Sequence, residues 1–127
     1  MAQDKRFDIA VTTVAQYIAD QSDEPAEKYV FAYTITIRNV GNVTAQLISR
    51  HWIITDARGL VQEVRGLGVV GAQPKLRPGE SFEYTSGTSI ATQVGTMRGT
   101  YQMVGEDGTR FDAQIPEFTL SVPRVLH

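Results

Sequence analysis

Alternation with a period of two runs through most of this chain, the pattern of strands that bury one face and wet the other. Tyr29, Phe31, Tyr33, Ile35 and Ile37 stand on one face of a run whose other face carries Ala32, Thr34, Thr36 and Arg38, which predicts a half-buried strand. Phe7, Ile9 and Val11 share one parity, and Val14, Gln16 and Ile18 share the other. One extra residue flips an alternation, so a first strand with a β-bulge near Thr12 and Thr13 is expected. Over residues 45–55 both parities are partly apolar, with Ile48, Trp52 and Ile54 on one and Leu47, His51 and Ile53 on the other. That mixture points to a central strand.

Turn signals separate these runs. The segment 56–59 ends on Gly59 and leads into a short strand over 60–64, and a polar stretch at 20–27 forms a long loop between the first two strands. Pro78 and Gly79 fit a type II turn, where the first residue needs a fixed φ and the second a positive one, and a strand over 82–85 follows. Met97, Gly99, Tyr101 and Met103 lead into Asp107-Gly108, a hairpin signal, and Phe111, Ala113 and Ile115 lead out. Pro116 cannot donate to a ladder, so it kinks the pairing before Phe118 and Leu120 form an edge strand. One helical turn is conceivable only around 89–94. About seven strands without crossover helices predict an all-β fold, an antiparallel sandwich of two sheets of immunoglobulin or fibronectin III type. Residues 1–127 read as a single domain.

Composition narrows the function. The absence of cysteine excludes disulfides, thiol nucleophiles and thiolate metal sites, and a cytoplasmic setting follows as the expectation. Neither a signal peptide nor a membrane span is legible. A net charge of −2 provides no general field for nucleic acid. That balance conceals a local surplus: residues 58–77 hold four basic side chains, Arg58, Arg65, Lys75 and Arg77, against one acid, Glu63.

The same stretch contains GxGxxG at Gly66, Gly68 and Gly71. In a dinucleotide fold those glycines join a strand to a helix whose N-terminus holds the pyrophosphate. Here Pro74 and Pro78 follow at once and leave no room for that helix. Two readings remain: a tight turn beside solvated basic side chains, or a backbone nest in which the loop with Arg65, Lys75 and Arg77 holds a phosphate-containing ligand. Catalytic residues are not found, because His51 sits within a strand, His127 is terminal, and the hydroxyl-rich segment 85–89 has no base beside it and reads as turn caps. The acidic residues of 20–27 and the pair Glu106 and Asp107 lack the spacing of a calcium loop, so no metal site and no cofactor are expected. Trp52 and the tyrosines supply rings for a protein-binding face.

The motifs RHWIITD at 50–56, VRGLGVVGAQP at 64–74, LRPGESFEYTS at 76–86, GTMRGTYQM at 95–103 and IPEFTL at 115–120 resemble the bacterial ApaG family. The resemblance implies a fibronectin III-like or immunoglobulin-like sandwich. Similar domains are attached in eukaryotes to an F-box protein of ubiquitin ligases and to a protein that interacts with DNA polymerase delta, which implies protein recognition. In enterobacteria the family is linked to cobalt resistance and magnesium efflux, and its gene often neighbours those for dimethyladenosine transferase and diadenosine tetraphosphate hydrolysis. Its glycine motif, matched here by Gly66, Gly68 and Gly71, has prompted proposals of pyrophosphate or nucleotide binding. The expectation is a non-catalytic interaction module with a protein partner, and the alternative is phosphate or nucleotide binding through loop 66–71.

Overall fold

The structure, a computed structural model, describes residues 6–123. Alternate aromatic and aliphatic residues make strand β2, Tyr29–Asn39, bury Tyr29, Phe31, Tyr33, Ile35 and Ile37 while its threonines stay half-exposed. On one side β2 pairs antiparallel with β1, Ile9–Tyr17, and on the other with β6, Ser81–Ile90. A larger sheet faces this one, with the order β4, β3, β7, β8: Val61–Leu67, Ala45–Asp56, Val94–Gly105 and Arg110–Ser121. The two-residue β5, Lys75–Leu76, also pairs with β3. The result is an all-β sandwich of two antiparallel sheets with eight strands, and its fourth strand joins β3 in the larger sheet.

Trp52 on β3 fills the space between the sheets. Its ring packs edge-on against Tyr33 at 5.4 Å, Phe118 at 5.9 Å and Tyr101 at 6.4 Å between centroids. A polar tie also crosses the core, since the Tyr84 hydroxyl on β6 and the Tyr101 hydroxyl on β7 share a buried 2.5 Å hydrogen bond. Burial pushes the Tyr84 phenol up to about 12 and raises that of Tyr101 further, because burial disfavours the charged form.

The turns follow the sequence. Gly79 has φ 89, and Glu80 N–H donates to the Arg77 carbonyl at 2.9 Å, closing the turn at Pro78. Gly108, with φ 87, closes the β7–β8 hairpin. Opposite Arg98 the β7–β8 register slips, and β8 accommodates both Pro116 and Glu117 there, the kink expected at that proline.

Three local expectations are corrected. The β1–β2 register runs unbroken from Ile9 opposite Asn39 to Tyr17 opposite Phe31, with no bulge at Thr12 and Thr13. Val14 instead points to solvent, 68% exposed, on an edge strand where one outward valine is tolerated. In β3 the bulge lies between Leu47 and Ser49, and it brings Leu47 into the core with Trp52 and Ile54 despite their opposite parities. Residues 91–93 form a bend rather than a helical turn, and 85–89 lie within β6, where Thr85 Oγ1 bonds Thr34 Oγ1 across the strands at 2.8 Å instead of capping a turn.

Candidate functional site

The turn into β4 is built by Asp56, whose Oδ1 accepts from the Arg58 amide at 2.9 Å and the Leu60 amide at 3.0 Å, while Gly59 takes φ 85. β4 then pairs with β3 from Thr55 opposite Val61 to Ser49 opposite Leu67. Among the described residues no strand lies beside its other edge, and none of its own residues is buried. Of the eight exposed large apolar residues among those described, five fall between 60 and 70: Leu60, Val61, Val64, Leu67 and Val70, with Leu67 75% exposed.

Each glycine of GxGxxG has a structural reason of its own. Gly66 lies opposite Arg50, and a Cβ there would meet the Arg50 guanidinium at 2.8–2.9 Å. Across that gap Arg50 Nη1 donates to the carbonyls of Leu67 at 3.0 Å and Gly68 at 2.9 Å. Gly68 has φ 62, and a Cβ on it would run into the Ala72 carbonyl. Gly71, with φ 80, is the third position of a tight turn in which Val69 and Ala72 exchange backbone hydrogen bonds of 2.8 and 2.9 Å. Val70 at its tip has φ 42, a conformation that strains a β-branched residue by about 1–3 kcal/mol. No helix follows, as Pro74 and Pro78 require. The amides of Gly68, Val69 and Ala72 are spent on internal carbonyls, whereas those of Val70 and Gly71 have no backbone acceptor among the described residues.

The basic residues do not converge. Arg58 reaches Glu27 at 3.0 Å. Arg77 grips Glu80 through Nε and Nη2, both at 3.3 Å, and this contact holds the Glu80 carboxyl below its ordinary range. Arg65 lies 3.8 Å from Glu63 and is 73% exposed. Lys75 pairs with Gln46 and Arg65 with His51, which separates them by about 15 Å along β3. Arg65 and Gly66 border a depression of about 570 Å³ with Arg50, His51, Gln102 and Asp112, whereas Lys75 and Arg77 border another of about 440 Å³ with Glu80 and Glu106. The surplus of charge is therefore spread along one flank of the sandwich.

Arg50 is the residue that sequence reasoning missed. It has no carboxylate within ion-pair distance among the described residues, and its bonds to two carbonyls hold β4 to the turn. His51, on the outer face, bonds Glu63 Oε1 through Nε2 at 2.8 Å, while His127 lies outside the described residues. Among the described residues no three His, Asp or Glu side chains gather closely enough to hold a metal ion, and no helix is long and apolar enough to cross a membrane.

Fold and flank together define a small two-sheet β-sandwich whose larger sheet ends in an uncovered strand and a glycine-punctuated turn. The chain belongs to the ApaG family: the profile of the ApaG domain matches residues 19–105. A relative named Protein ApaG from Thiobacillus denitrificans is 66% identical over 127 residues, the whole of both chains, and one of the same name from Nitrosospira multiformis is 65% identical over the same span. A crystal structure of a Bordetella pertussis protein named ApaA superposes with a TM-score of 0.92 at 56% identity, covering 97% of this chain and 100% of that one.

Proposed function

We infer that the protein is a non-catalytic recognition module of the cytoplasm that takes up a partner polypeptide along β4 and the turn after it. The observation that carries this reading is the uncovered β4 edge with its line of exposed apolar residues. A strand of that kind offers unpaired backbone groups as a template for another chain, and the apolar side chains beside them add surface that such a chain would cover. The absence of cysteine, and of any hydroxyl bonded to the His51 imidazole among the described residues, argues against nucleophilic chemistry. On this reading the family's link to cobalt resistance and magnesium efflux runs through the partner, not through an ion held by this chain. Cobalt or magnesium should then leave the amide signals of 20–27 and His51 unmoved, and movement there would restore direct metal binding.

The test is capture from a cell lysate by the immobilised wild type and by a Val61→Lys/Leu67→Lys variant. Loss of a wild-type-captured protein from the variant supports the reading; identical recovery by both overturns the edge as the recognition element. A second reading, phosphate capture at loop 66–71, is favoured by the Arg50 guanidinium, which has no carboxylate within ion-pair distance among the described residues, and by the amides of Val70 and Gly71, which have no backbone acceptor there. It is weakened by the glycines' internal roles and by the distance to Lys75 and Arg77. Millimolar pyrophosphate that leaves the amides of 66–71 unmoved removes it.

A further inference from the structure

We propose that the polypeptide accepted by β4 is the same strand of a second copy of this chain, antiparallel about a two-fold axis through Val64. The proposal rests on the edge-recognition reading and names its occupant. Backbone accounting decides which groups are available. The Leu60 carbonyl accepts from Asp56 N–H, and Gly68 N–H donates to the Ile48 carbonyl. Bonding residues alternate along an antiparallel ladder, so the even-numbered residues from 60 to 68 spend their backbone groups on β3. Val61, Glu63, Arg65 and Leu67 direct theirs away from the β3 ladder, the Leu67 carbonyl toward Arg50 Nη1.

In a two-fold pairing these odd residues must oppose one another, because directly opposed residues exchange the hydrogen bonds. An axis through Glu63 sets that carboxylate against its own copy, and an axis through Arg65 does the same with two guanidinium groups. The axis through Val64 sets Glu63 against Arg65 twice and Val61 against Leu67 twice, so that charge meets opposite charge and apolar meets apolar. It uses the full length of β4 and makes about eight N–H···O bonds, two for each of four opposed pairs. All four side chains share the outer face, since they oppose Thr55, Ile53, His51 and Ser49 of β3.

The backbone of β4 does not obstruct this pairing, and Glu63 meets His51 through Oε1, which leaves Oε2 for the facing Arg65. The strand carries no proline and its register with β3 is regular. The Arg65 guanidinium holds its own Glu63 loosely, at 3.8 Å, and remains largely exposed. Leu67's carbonyl accepts from Arg50 and keeps a second lone pair. Two larger sheets would then continue into one, an isologous arrangement in which the same patch serves both copies.

Sedimentation equilibrium on the purified protein tests this with wild type, Glu63→Arg, Arg65→Glu and the double reversal. The wild type should pass from one chain mass toward two as concentration rises. Each single reversal opposes like charges and should weaken association roughly tenfold, and the double reversal should restore it. A wild type that keeps one chain mass at millimolar concentration overturns the proposal, as does a double reversal no tighter than the singles. Hydrogen exchange gives a readout independent of any variant: the amides of Val61, Glu63, Arg65 and Leu67 should slow with concentration while those of Gln62 and Val64 stay constant. A protein that remains single yet loses a captured partner in the Val61→Lys/Leu67→Lys variant removes self-pairing alone. A dimer whose assembly ignores all four substitutions removes the β4 edge from both readings.

Discussion

β2 alternates strictly and β4 does not, and they end in opposite environments. β2 has a neighbour on each side and a sheet over its inner face, so its alternate rings and aliphatic chains are buried from Tyr29 to Ile37. β4 has one neighbour among the described strands, no buried residue, and apolar residues three apart, Val61, Val64 and Leu67, with Glu63 and Arg65 between them. A period of two therefore marks a strand whose own fold covers one face, and its absence marks one that the fold leaves bare on both. In β2 the fold supplies the cover, and in β4 the backbone edge and the apolar side chains await something else.

The largest test of that contrast is Trp52→Ala, which removes the ring held by Tyr33, Tyr101 and Phe118. Urea unfolding should register a loss of about 3–5 kcal/mol. A loss under about 1 kcal/mol would mean that the space beneath β2 is not the centre of stability. Next comes Gly68→Ala, where a positive φ and the Ala72 carbonyl both resist a side chain, and where a loss of at least about 2 kcal/mol is expected. Gly71→Ala meets open space and carries the backbone term alone, about 1 kcal/mol. Equal effects would show that backbone conformation alone, not close approach, selects glycine in this turn.

The tyrosine pair gives a smaller effect with a defined pH window. Burial raises the Tyr84 phenol from 10 to about 12, so the unfolded chain loses its proton first as pH rises. The stability from the neutral pair is complete below about pH 10 and declines as pH climbs through 12. Melting temperatures should fall over that interval, and Tyr84→Phe should flatten the profile while costing about 1–3 kcal/mol at neutral pH, because the Tyr101 hydroxyl is left unpaired. A profile that falls just as steeply without the Tyr84 hydroxyl would assign the alkaline loss to other groups.

Much of the fold outside β4 is legible in the sequence because its determinants are local. The rings at every second position, Pro78-Gly79, Asp107-Gly108 and Pro116 each specify a φ, a missing donor or a face without help from distant residues. The bulge was misplaced because apolar was equated with inward: Val14 faces water, and the real bulge hides in β3, where both parities are apolar. The flank at β4 was harder to read because its meaning depends on register. Arg50 explains Gly66 only once β3 and β4 are aligned, and nothing in the spacing of the glycines distinguishes a guanidinium gap from a phosphate cradle. Arg58, Arg65 and Arg77 lie within twenty residues, yet the fold carries them to separate carboxylates, Glu27, Glu63 and Glu80, and sets Arg65 in a different depression from Lys75 and Arg77.

Leu67→Ser makes the smallest change in stability and bears most directly on the difference between the two strands. At 75% exposure Leu67 gives up little apolar surface to its own fold, so its replacement should move the urea midpoint by less than about 0.5 kcal/mol. Opposite Val61 of a second copy the same side chain would be covered, and the substitution should weaken association several-fold by sedimentation. Stability and assembly thus respond separately at this residue, whereas at Trp52 a change reaches the fold itself. A drop in stability above 1 kcal/mol would mean that the chain already covers Leu67, and β4 would then differ from β2 only in degree.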